Sequence, residues 1–445
     1  MERVTVIGGG LAGSEAAWQL ARAGVEVDLY EMRPQRGTAA HQTDQLGELV
    51  CSNSFRNATL ETAVGLLKEE MRQLGSLVMS VADAHQVPAG ACLAVDRTHF
   101  AENMTQAIEG EPHIRLVREE MTELPSGFTI LATGPLTSPL LSDALTRALG
   151  TAHLYFYDAI APTVATDSID MGVAWKASRY DKGGDDYVNC PLDREQYYAF
   201  VDAVLAAEKV PTREFERCVY FEGCMPIEEM ARRGKDTLAF GPMRPVGLVE
   251  PRTGKRAFAC VQLRQDDAAG SLYNMVGFQT KMTYPEQRRV FRMIPGLEKA
   301  EFVRLGSLHR NTYVNAPALL LPSLQVIGRK RLLLAGQIVG VEGYVESAAT
   351  GLLAGLNVVR LIQGEPTLVP PPSTALGSLL SYVTQRGKKD FQPMNANYGL
   401  FPALSRPLRG REKKLALAER ALQELGRWRE RVGLGGERTS VAGLA

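Results

Sequence analysis

The sequence predicts an α/β protein in which a doubly wound parallel sheet is split by an inserted α+β domain. Three observations lead to this fold class. A strand, a glycine-rich turn and a helix open the chain, and strand patterns that end in glycine return at residues 128–134 and 331–336. Residues 155–300 show little of this alternation and are richer in charged and aromatic side chains. Because alternating strands and helices are typical of parallel sheets, the segment between them is expected to be an insertion.

Composition indicates a folded protein with a large core. The chain has 445 residues, of which 45% are hydrophobic, and this excludes disorder, a collagen-like chain and a small disulfide scaffold. Fifty Lys and Arg residues balance fifty Asp and Glu residues, so the formal charge is zero. A surface that binds nucleic acid must therefore be a local patch rather than the whole molecule.

The cysteines indicate reduced thiols rather than disulfides or a metal site. The six cysteines, at positions 51, 92, 190, 218, 224 and 260, form neither C-x-x-C pairs nor a Cys/His spacing typical of zinc. The first residues lack the features of a secretory signal, and no apolar run approaches the ~18 residues of a membrane span. We therefore expect a cytoplasmic protein with no bound metal and no membrane location.

The N-terminal segment predicts a βαβ unit with a dinucleotide-binding turn. Residues 3–7 are a β-branched run, a small-residue helix pattern stops at Gly24, and a second strand over residues 25–30 ends at Glu31. Glu31 lies 18 residues after Gly13, close to the spacing expected of an acidic residue that binds ribose hydroxyls. An ordinary tight turn is the competing interpretation. The residues predicted to hold the dinucleotide in this Rossmann-like unit are Gly8, Gly9, Gly10, Leu11, Ala12, Gly13 and Glu31.

Two later segments extend this sheet. Residues 128–135 form an apolar strand that ends in a Gly-Pro break, and residues 331–337 repeat the pattern of a strand that ends in glycine. A helix pattern follows over residues 344–356. We therefore divide the chain into three parts: the first part of the cofactor domain (1–154), an inserted substrate domain (155–300), and the returning part with a basic tail (301–445).

Positive charge is concentrated near the C-terminus. Between residues 386 and 431 the chain has twelve Lys or Arg residues and five Asp or Glu residues. Leu415, Ala418, Leu422 and Leu425 have helical spacing, which predicts an amphipathic helix over residues 411–431. Two interpretations stay open, namely a solvated helix and a patch that faces a polyanion.

Three segments contain side chains that could perform chemistry. Cys51 lies where an apolar pair changes to a polar loop, in a position where a thiol could face a cofactor. Cys224 follows a glycine and precedes a proline by two residues, which is loop geometry. Taken alone, however, each cysteine is more typical of a small core residue. His309 lies in a dense run of donors and planar side chains, where a structural and a ligand-facing role are equally consistent.

Several motifs extend along nearly the whole chain. They are GGGLAGSE at 8–15, CSNS at 51–54, YDKG at 180–183, FEGCMPIEEM at 221–230, GPMRPVG at 241–247, GFQT at 277–280, HRNT at 309–312, AGQ at 335–337 and GYVES at 343–347. Together they resemble the motifs of bacterial folate- and FAD-dependent tRNA uracil-5-methyltransferases, the TrmFO family. The segments around Cys224, Gly241 and His309 are highly specific, whereas the first glycine motif is shared by many flavoproteins.

The resemblance implies a GidA-related FAD-binding fold with FAD as cofactor, 5,10-methylenetetrahydrofolate as carbon donor and NAD(P)H as reductant. It implies methylation of a T-loop uridine in tRNA that is bound through its T-arm, with no protein partner required. Cys224 is then the expected nucleophile, and Cys51 assists it, either in removing the proton at carbon 5 or in the flavin chemistry. Further cofactor contacts are expected from Gly336, Gln337, Gly343 and Tyr344, and folate contacts from His309, Arg310 and Asn311.

Two other functions compete with this one. The related GidA family, also called MnmG, shares the glycine motif and the AGQ segment and modifies a tRNA wobble uridine with a GTPase partner. That family is substantially longer and has an additional helical C-terminal domain, whereas this chain has a short basic tail. A small-molecule flavin oxidoreductase explains the glycine motif but leaves the tail and the Cys224 loop without a role. The oligomeric state stays open, with a monomer as the simplest expectation.

Overall fold

The computed structural model describes residues 3–38, 40–150, 154–159, 161–181, 184–210, 225–306, 308–387 and 391–434, with the backbone alone for 154–159, 181 and 308–312. In chain order the strands are β1 (Val4–Ile7), β2 (Val27–Tyr30), β3 (Ser54–Asn57), β4 (Gln86–Val87), β5 (Cys92–Val95), β6 (Ile114–Val117), β7 (Thr129–Leu131), β8 (Leu154–Ala159), β9 (Thr163–Ala165), β10 (Trp175–Lys176), β11 (Tyr187–Leu192), β12 (Ala259–Gln265), β13 (Leu272–Met275), β14 (Phe302–Arg304), β15 (Leu308–Tyr313), β16 (Gln325–Val326) and β17 (Arg329–Leu334). The helices are α1 (Leu11–Arg22), α2 (Ala63–Gln73), α3 (Leu77–Ala84), α4 (Arg97–Glu109), α5 (Pro139–Leu149), α6 (Arg194–Ala206), α7 (Ile227–Arg233), α8 (Thr237–Phe240), α9 (Tyr284–Phe291), α10 (Ala316–Leu319), α11 (Tyr344–Ile362), α12 (Ala375–Val383) and α13 (Gly410–Arg431).

The first sheet contains the N-terminal βαβ unit and has the strand order β16-β17-β7-β1-β2-β6. Strands β17, β7, β1, β2 and β6 are parallel, and β16 joins one edge in the antiparallel direction. Strand β17 comes from the far end of the chain and pairs with β7, with Leu333 beside Ile130. The predicted Rossmann-like fold, in which a late strand returns to the N-terminal sheet, is therefore confirmed.

Helix α1 begins directly after the glycine turn and packs against α11 with backbone close to backbone. A Cβ atom at Gly351 would overlap the carbonyl oxygen of Ala12, and one at Gly355 would lie 2.7 Å from that of Ala16. The two glycines are one helical turn apart and face α1, so no side chain separates the two helices there. This close approach fixes α1 relative to α11.

Helix α11 owes its apolar composition to this central position. By length and composition α11 could cross a membrane, but 78% of its most apolar 18-residue segment is buried inside the protein. Its side chains belong to the main core, together with those of α1 and of the parallel strands. The apolar character of α11 is thus explained by packing within the fold.

Residues 163–304 contribute a second sheet, with the order β10-β11-β12-β13-β9-β14 and antiparallel neighbours throughout. One face carries apolar side chains such as Val188, Val261 and Leu263, which form a second core with α6, α7 and α9. Strand β8 precedes this segment in the sequence and β15 follows it, and the two strands pair as an antiparallel ribbon. A separate core is typical of a separate domain, while the limits at residues 154 and 300 stay a prediction.

Two buried glutamates accept hydrogen bonds from the N-termini of helices that lie elsewhere in the chain. Glu15 in α1 accepts hydrogen bonds from backbone N–H groups at the start of α3. Glu70 in α2 accepts hydrogen bonds from the N–H groups of Ala375 and Leu376 at the start of α12, at 2.7 and 3.0 Å. These N–H groups have no partner within their own helices. Burial nevertheless dominates the pKa of Glu70 and raises it to about 7.

The basic tail contains α13, which confirms the predicted amphipathic helix. Its buried side chains pack into the main core and are Leu417, Ala418, Ala421, Leu425 and Trp428. The helical spacing places Leu415 on the buried apolar face, but this prediction is wrong, because Leu415 is 40% exposed. The reason is that the start of α13 projects beyond the core, so that residues 410–415 are all exposed.

We expect Gly351→Ala to destabilise the protein, because the added methyl group overlaps the Ala12 carbonyl and forces α1 and α11 apart. Overpacking of this kind lowers the unfolding free energy by about 1–3 kcal/mol. Urea denaturation followed by circular dichroism measures the difference. The matched control is Gly426→Ala in α13, where a Cβ atom meets nothing within 4 Å. The control is expected to be neutral or stabilising, and equal losses in both variants would contradict the backbone contact.

Glu70 should make stability depend on pH. Its pKa is raised from the ordinary 4.5 to about 7, so its contribution is fully present below pH 4.5 and is lost as the pH rises through 7. The side chain of Glu70→Gln stays neutral at every pH, so the variant does not lose stability by this route. Between pH 4.5 and 8, the unfolding free energy of the wild type should therefore fall by about 3 kcal/mol more than that of the variant. Urea denaturation at both pH values tests this. Glu69→Gln, at a partly exposed neighbouring position, controls for loss of a charge.

Candidate active site

A large cavity opens beside the N-terminus of α1, at the ends of the parallel strands β1 and β7. The empty space within it, counted together with the solvent at its open mouth, is about 1040 Å³. Ligands of open α/β sheets commonly bind at this place, beyond the carboxyl ends of the strands. The lining residues include Gly8, Gly10, Leu11, Ala12, Glu31, Arg33, His41, Gly336, Gln337, Tyr344 and Ser347, together with residues 132–138.

The glycines of the N-terminal turn have different tasks. Gly10 is the N-cap of α1 in an extended conformation, and α1 has no side-chain cap. A Cβ atom at Gly10 would meet no protein atom within 4 Å, whereas one at Gly8 would lie 2.6 Å from the Ala132 oxygen, and one at Gly13 would overlap the Gly8 oxygen. Gly8 and Gly13 thus permit the turn itself. Gly10 leaves open space where an anion can approach the N–H groups of the first helical turn.

Glu31 lies at the end of β2 and lines the same cavity. Its Oε2 accepts a hydrogen bond from the N–H of Gly9 at 3.0 Å, and its Oε1 accepts hydrogen bonds from the N–H and Nε of Arg33, both at 3.0 Å. Burial alone would raise the pKa of Glu31, but the hydrogen bonds and the charge of Arg33 outweigh it and lower the pKa. The carboxylate therefore stays ionised at neutral pH and can accept hydrogen bonds from ribose hydroxyls.

Arg33 places an unpaired donor in the wall of the cavity. Its Nη1 donates to Glu48 at 3.1 Å, while Nη2 is buried and has no hydrogen-bond partner among the described residues. Burial and the positive charge of Arg33 together lower the pKa of the nearby His41 to about 4, so His41 is neutral at pH 7. A buried guanidinium N–H without a partner is costly unless a ligand accepts it.

These features fit the dinucleotide that the sequence predicts. Open space at Gly10 suits a pyrophosphate, the carboxylate of Glu31 suits a ribose, and Arg33 Nη2 offers a donor to a polar ligand group. The residues present are therefore consistent with FAD.

The second half of the predicted cofactor site comes from the C-terminal part of the chain. Gly336 and Gln337 lie in the wall after β17, and Tyr344 begins α11 there. Gly336 has a φ of 83° and donates its N–H to Thr350 Oγ1 at 2.8 Å. Three further predicted cofactor residues, Gly9, Gly13 and Gly343, do not line the cavity, and their cofactor contacts stay a prediction.

Cys51 lies in a loop that three side chains hold beside the cavity. Its N–H donates to Tyr344 Oη at 2.7 Å. Arg97 and Arg304 donate to the carbonyl oxygens of the two preceding residues, at 2.8 and 2.7 Å. Both guanidinium groups also interact electrostatically with Cys51. The Cys51 loop therefore lies next to the cavity, with Arg97 and Arg304 beside the thiol.

Asn53 connects the Cys51 loop to the second sheet. Its side chain is fully buried. The Nδ2 group donates to the carbonyl oxygens of Val95 and Gln265, both at 2.9 Å, and Oδ1 accepts a hydrogen bond from Arg264 Nε at 3.1 Å. Since Arg264 and Gln265 belong to β12, the Cys51 loop and the second sheet are held in one arrangement.

The face of the second sheet that turns toward this loop is polar. Gln262 and Arg264 alternate along β12 and share one face, with Asn189 and Tyr187 directly opposite them on β11. Gln262 Nε2 donates to Asn189 Oδ1 at 2.9 Å, and Tyr187 Oη donates to the carbonyl oxygen of Ala89 at 2.9 Å. Helices α6, α7 and α9 pack on the opposite face, whereas Asn189, Gln262 and Arg264 on this face are buried in mutual and inter-segment hydrogen bonds.

Cys224, the predicted nucleophile, lies outside the described residues, as does Cys218. The chain that follows it is firmly anchored. Ile227 donates its N–H to the carbonyl oxygen of Gln279 at 2.8 Å, and the buried carboxylate of Glu228 accepts a hydrogen bond from Thr280 Oγ1. The residues after Cys224 are therefore fixed beside the GFQT motif of the second sheet.

The predicted folate residues His309, Arg310 and Asn311 occupy consecutive positions of β15. In the ribbon they lie opposite residues 156–158 of β8. Their side chains are outside the described part of the structure. The folate contact therefore stays a prediction.

The other thiols of the described chain are less suited to chemistry. Cys190 and Cys260 are buried, and burial raises the pKa of both, to about 12 for Cys260. Cys92 is half-buried. Within the described ranges, no group of three or more His, Cys, Asp or Glu side chains is placed to hold a metal ion.

Several site residues were not identified from the sequence. Arg33 and Asn53 each lie two residues after a predicted site residue, so inspection of those segments could have found them. Arg97 and Arg304 have no local signal, because they contact the Cys51 loop from 48 and 254 residues away. The same holds for His41, whose role depends on Arg33.

Comparisons with known proteins agree with this arrangement. The chain matches the family model "Glucose inhibited division protein A" over residues 3–366. It is 61% identical over 427 residues to the methylenetetrahydrofolate–tRNA-(uracil-5-)-methyltransferase TrmFO of Geobacter sulfurreducens, with 96% of this chain and 98% of that protein covered. It is 58% identical over 427 residues to the protein of the same name from Heliobacterium modesticaldum, covering 96% and 97%. The solved structure of Aquifex aeolicus GidA, form I crystal, has a TM-score of 0.72 at 18% identity over 99% of this chain and 77% of that chain, which shows a shared fold.

We expect Gly10→Val to lose bound FAD while the protein still folds. The extended backbone at Gly10 accepts any residue, and the side chain would occupy only the open space of the cavity. The measurements are flavin absorbance of the purified protein and its thermal unfolding after flavin removal. Gly127→Val, at a position outside the cavity where a Cβ atom meets nothing within 4 Å, is the control and should keep its flavin. A fully yellow Gly10→Val protein would refute the pyrophosphate site.

Proposed function

The chain belongs to the TrmFO group of the GidA family, and on this premise we propose that it is a methylenetetrahydrofolate–tRNA-(uracil-5-)-methyltransferase. It transfers the methylene carbon of 5,10-methylenetetrahydrofolate to carbon 5 of a uridine in the tRNA T-loop and delivers it as a methyl group. The observation that carries this proposal is the identity of 56–61% to TrmFO proteins over 95–96% of the chain. The cavity beside the Cys51 loop, which is lined by predicted dinucleotide residues, is consistent with it.

The carbon donor arrives at the oxidation level of formaldehyde, so a hydride is needed to produce a methyl group. FAD supplies this hydride once NAD(P)H has reduced it. The protein's task is to hold and orient the cofactor. We assign the open space at Gly10 and the N–H groups of α1 to the pyrophosphate, the Glu31 carboxylate to the ribose, and the buried Nη2 of Arg33 to a further polar group.

Carbon 5 of uracil is a weak nucleophile, so the base must be activated. We assign Cys224 to this step: its thiolate forms a bond to carbon 6, and the electrons of the double bond between carbons 5 and 6 give an enolate that attacks the methylene carbon. The proton at carbon 5 leaves to a base and tetrahydrofolate departs, which leaves a methylene group double-bonded to carbon 5 while sulfur stays on carbon 6. A hydride added to this methylene group would complete the methyl group and return the enolate electrons, which re-form the double bond between carbons 5 and 6 and expel the Cys224 thiolate.

Cys51 is assigned as the assisting thiol. Tyr344, which lines the cofactor cavity, holds the Cys51 backbone, and Arg97 and Arg304 lie close enough to interact with the thiol. A group in this place has both the cofactor cavity and the polar face of the second sheet within reach. Such a position suits either removal of the proton at carbon 5 or a part in the flavin chemistry.

The substrate tRNA requires a basic surface even though the chain has no net charge. A T-loop base is stacked within its loop, so we propose that it is extruded into the site while basic side chains hold the neighbouring phosphates. We further propose that the enzyme works in the cytoplasm and needs no protein partner.

The decisive experiment supplies the purified chain with an unmodified tRNA transcript, NADPH and methylenetetrahydrofolate labelled in the methylene carbon. Label in 5-methyluridine is expected from this donor, and none from labelled S-adenosylmethionine in a parallel reaction. No label from folate, despite bound FAD, would reject the proposed function. Transfer that depends on an added protein would instead support the GidA-type alternative.

The cysteine assignments are tested with the same assay. Cys224→Ala should reduce methyl transfer to background while flavin content stays at the wild-type level, because this thiol acts on the base. Cys51→Ala should also lose methyl transfer. The matched control is Cys92→Ala, a half-buried thiol without an assigned role, which should keep activity close to wild type. Normal turnover by Cys224→Ala would show that the nucleophile is another group.

A further inference from the structure

Three of the sequence motifs that have no role in the reaction meet on the second sheet. Tyr180 of YDKG donates its N–H to the carbonyl oxygen of Gly247, the last residue of GPMRPVG, at 2.9 Å. A Cβ atom at Gly277 of GFQT would lie 2.7 Å from the Cβ of Pro242 in the same loop. The segments are distant in sequence, yet they form one surface at the edge of the polar face.

Tyr180 is presented to solvent by this surface. Its ring is 58% exposed, and its backbone is left-handed, with a φ of 58°. A Cβ atom at Gly247 would lie 3.0–3.1 Å from three atoms of the ring, so one face of the ring rests on the glycine backbone. A left-handed tyrosine costs about 1–2 kcal/mol, and exposure gives little hydrophobic gain in return. The arrangement keeps the other face of the ring open.

Two arginines lie close to this position, Arg179 beside Tyr180 and Arg244 beside Arg179. Arg179 is held by hydrogen bonds from Nε to Gln262 Oε1 at 2.6 Å and from Nη1 to the Val246 carbonyl oxygen at 2.8 Å. The exposed Arg244 is close enough for the two charges to repel each other. Within the described part of the chain, neither arginine forms an ion pair with a carboxylate. Two like charges without a counterion favour an anionic ligand.

The adjoining loop adds to this charge. Residues 244–256 contain four basic side chains and a single acidic one, Glu250. The Glu250 carboxylate accepts a hydrogen bond from Thr253 within the loop. Lys255 and Arg256 are exposed. The surface of this loop is therefore positive.

A short polar path connects the surface to the candidate active site. Gln262, which holds Arg179, and Arg264, which holds Asn53, lie on the same face of β12 two residues apart, or about 7 Å. Asn53 in turn lies two residues from Cys51. Tyr180 and Arg244 are thus placed at the same side of the second sheet as the Cys51 loop.

We propose that Tyr180 and Arg244 form an RNA-contact surface, on which an unpaired base stacks against the free face of the Tyr180 ring while Arg244 and Arg179 bind the adjoining phosphates. This inference rests on the proposed function, since it identifies where the tRNA is held. Single-stranded RNA is commonly bound in this way, with aromatic rings under the bases and arginines at the backbone. A folate or a nicotinamide would require an enclosed pocket, which an exposed ring does not provide.

The test measures binding of an unmodified tRNA transcript to the FAD-loaded protein at two salt concentrations, without folate. Tyr180→Ala should weaken binding about tenfold, and Tyr180→Phe should bind as the wild type does, because stacking needs the ring and not the hydroxyl. Arg244→Gln should weaken binding and reduce the salt dependence by about one ion. The matched controls, Tyr284→Ala and Arg288→Gln, change an equally exposed tyrosine and an exposed arginine on α9, behind the sheet, and should bind normally.

The outcomes separate this inference from the proposed function. Flavin content and NADPH-driven flavin reduction should equal those of the wild type in every variant, which shows that the variants are folded. If the wild type binds and methylates tRNA but Tyr180→Ala and Arg244→Gln bind as tightly as it does, the RNA-contact surface is wrong and the function stands. If the controls on α9 weaken binding equally, the surface is also wrong. If the wild type does not methylate tRNA from folate, the proposed function itself fails.

Discussion

The close contact between helices α1 and α11 determines where the active site lies. Both helices begin at the cofactor cavity, α1 with Gly10 as its N-cap and α11 with Tyr344. Their backbones touch through Gly351 and Gly355, so the two starting points have a fixed separation. Since the start of α1 offers donors to a pyrophosphate and Tyr344 holds the Cys51 loop, one packing constraint positions both the cofactor and the thiol. A side chain between these helices would displace one from the other.

A second constraint joins the Cys51 loop to the second sheet. Asn53 uses both ends of its amide in buried hydrogen bonds to β5 and β12, and Arg97 connects the Cys51 loop to Asp266. Buried polar groups of this kind are expensive to leave unpaired, so the bonds tend to form or break together. They hold the polar face of the second sheet opposite the loop of Cys51. The Cys51 loop and the second sheet are thus joined by buried hydrogen bonds rather than by an apolar interface.

The sequence predicts those parts of the structure that depend on neighbours in the chain. The N-terminal βαβ unit, the returning strand and the basic helix all follow from local periodicity and from glycine positions, because hydrogen bonding and close approach at those points are decided within a few residues. Contacts that depend on the three-dimensional arrangement leave no such trace. Asn53 and Arg264 are 211 residues apart, and Glu70 binds a helix 305 residues away. The exposure of Leu415 is of the same kind, because helical spacing shows which residues share a face but not how far the core extends.

The distribution of charge explains how a chain with zero net charge can serve a polyanionic substrate. Beside the cofactor cavity, the buried Arg33 is paired with the carboxylates of Glu31 and Glu48. At the edge of the second sheet, Arg179 and Arg244 lie near each other and form no ion pair among the described residues. Repulsion between such charges lowers the stability of the free protein and is relieved when an anion binds, so part of the binding energy is stored in the fold. On the proposed RNA-contact surface, the second sheet can in this way hold a phosphate backbone on the side of the sheet that is joined to the Cys51 loop.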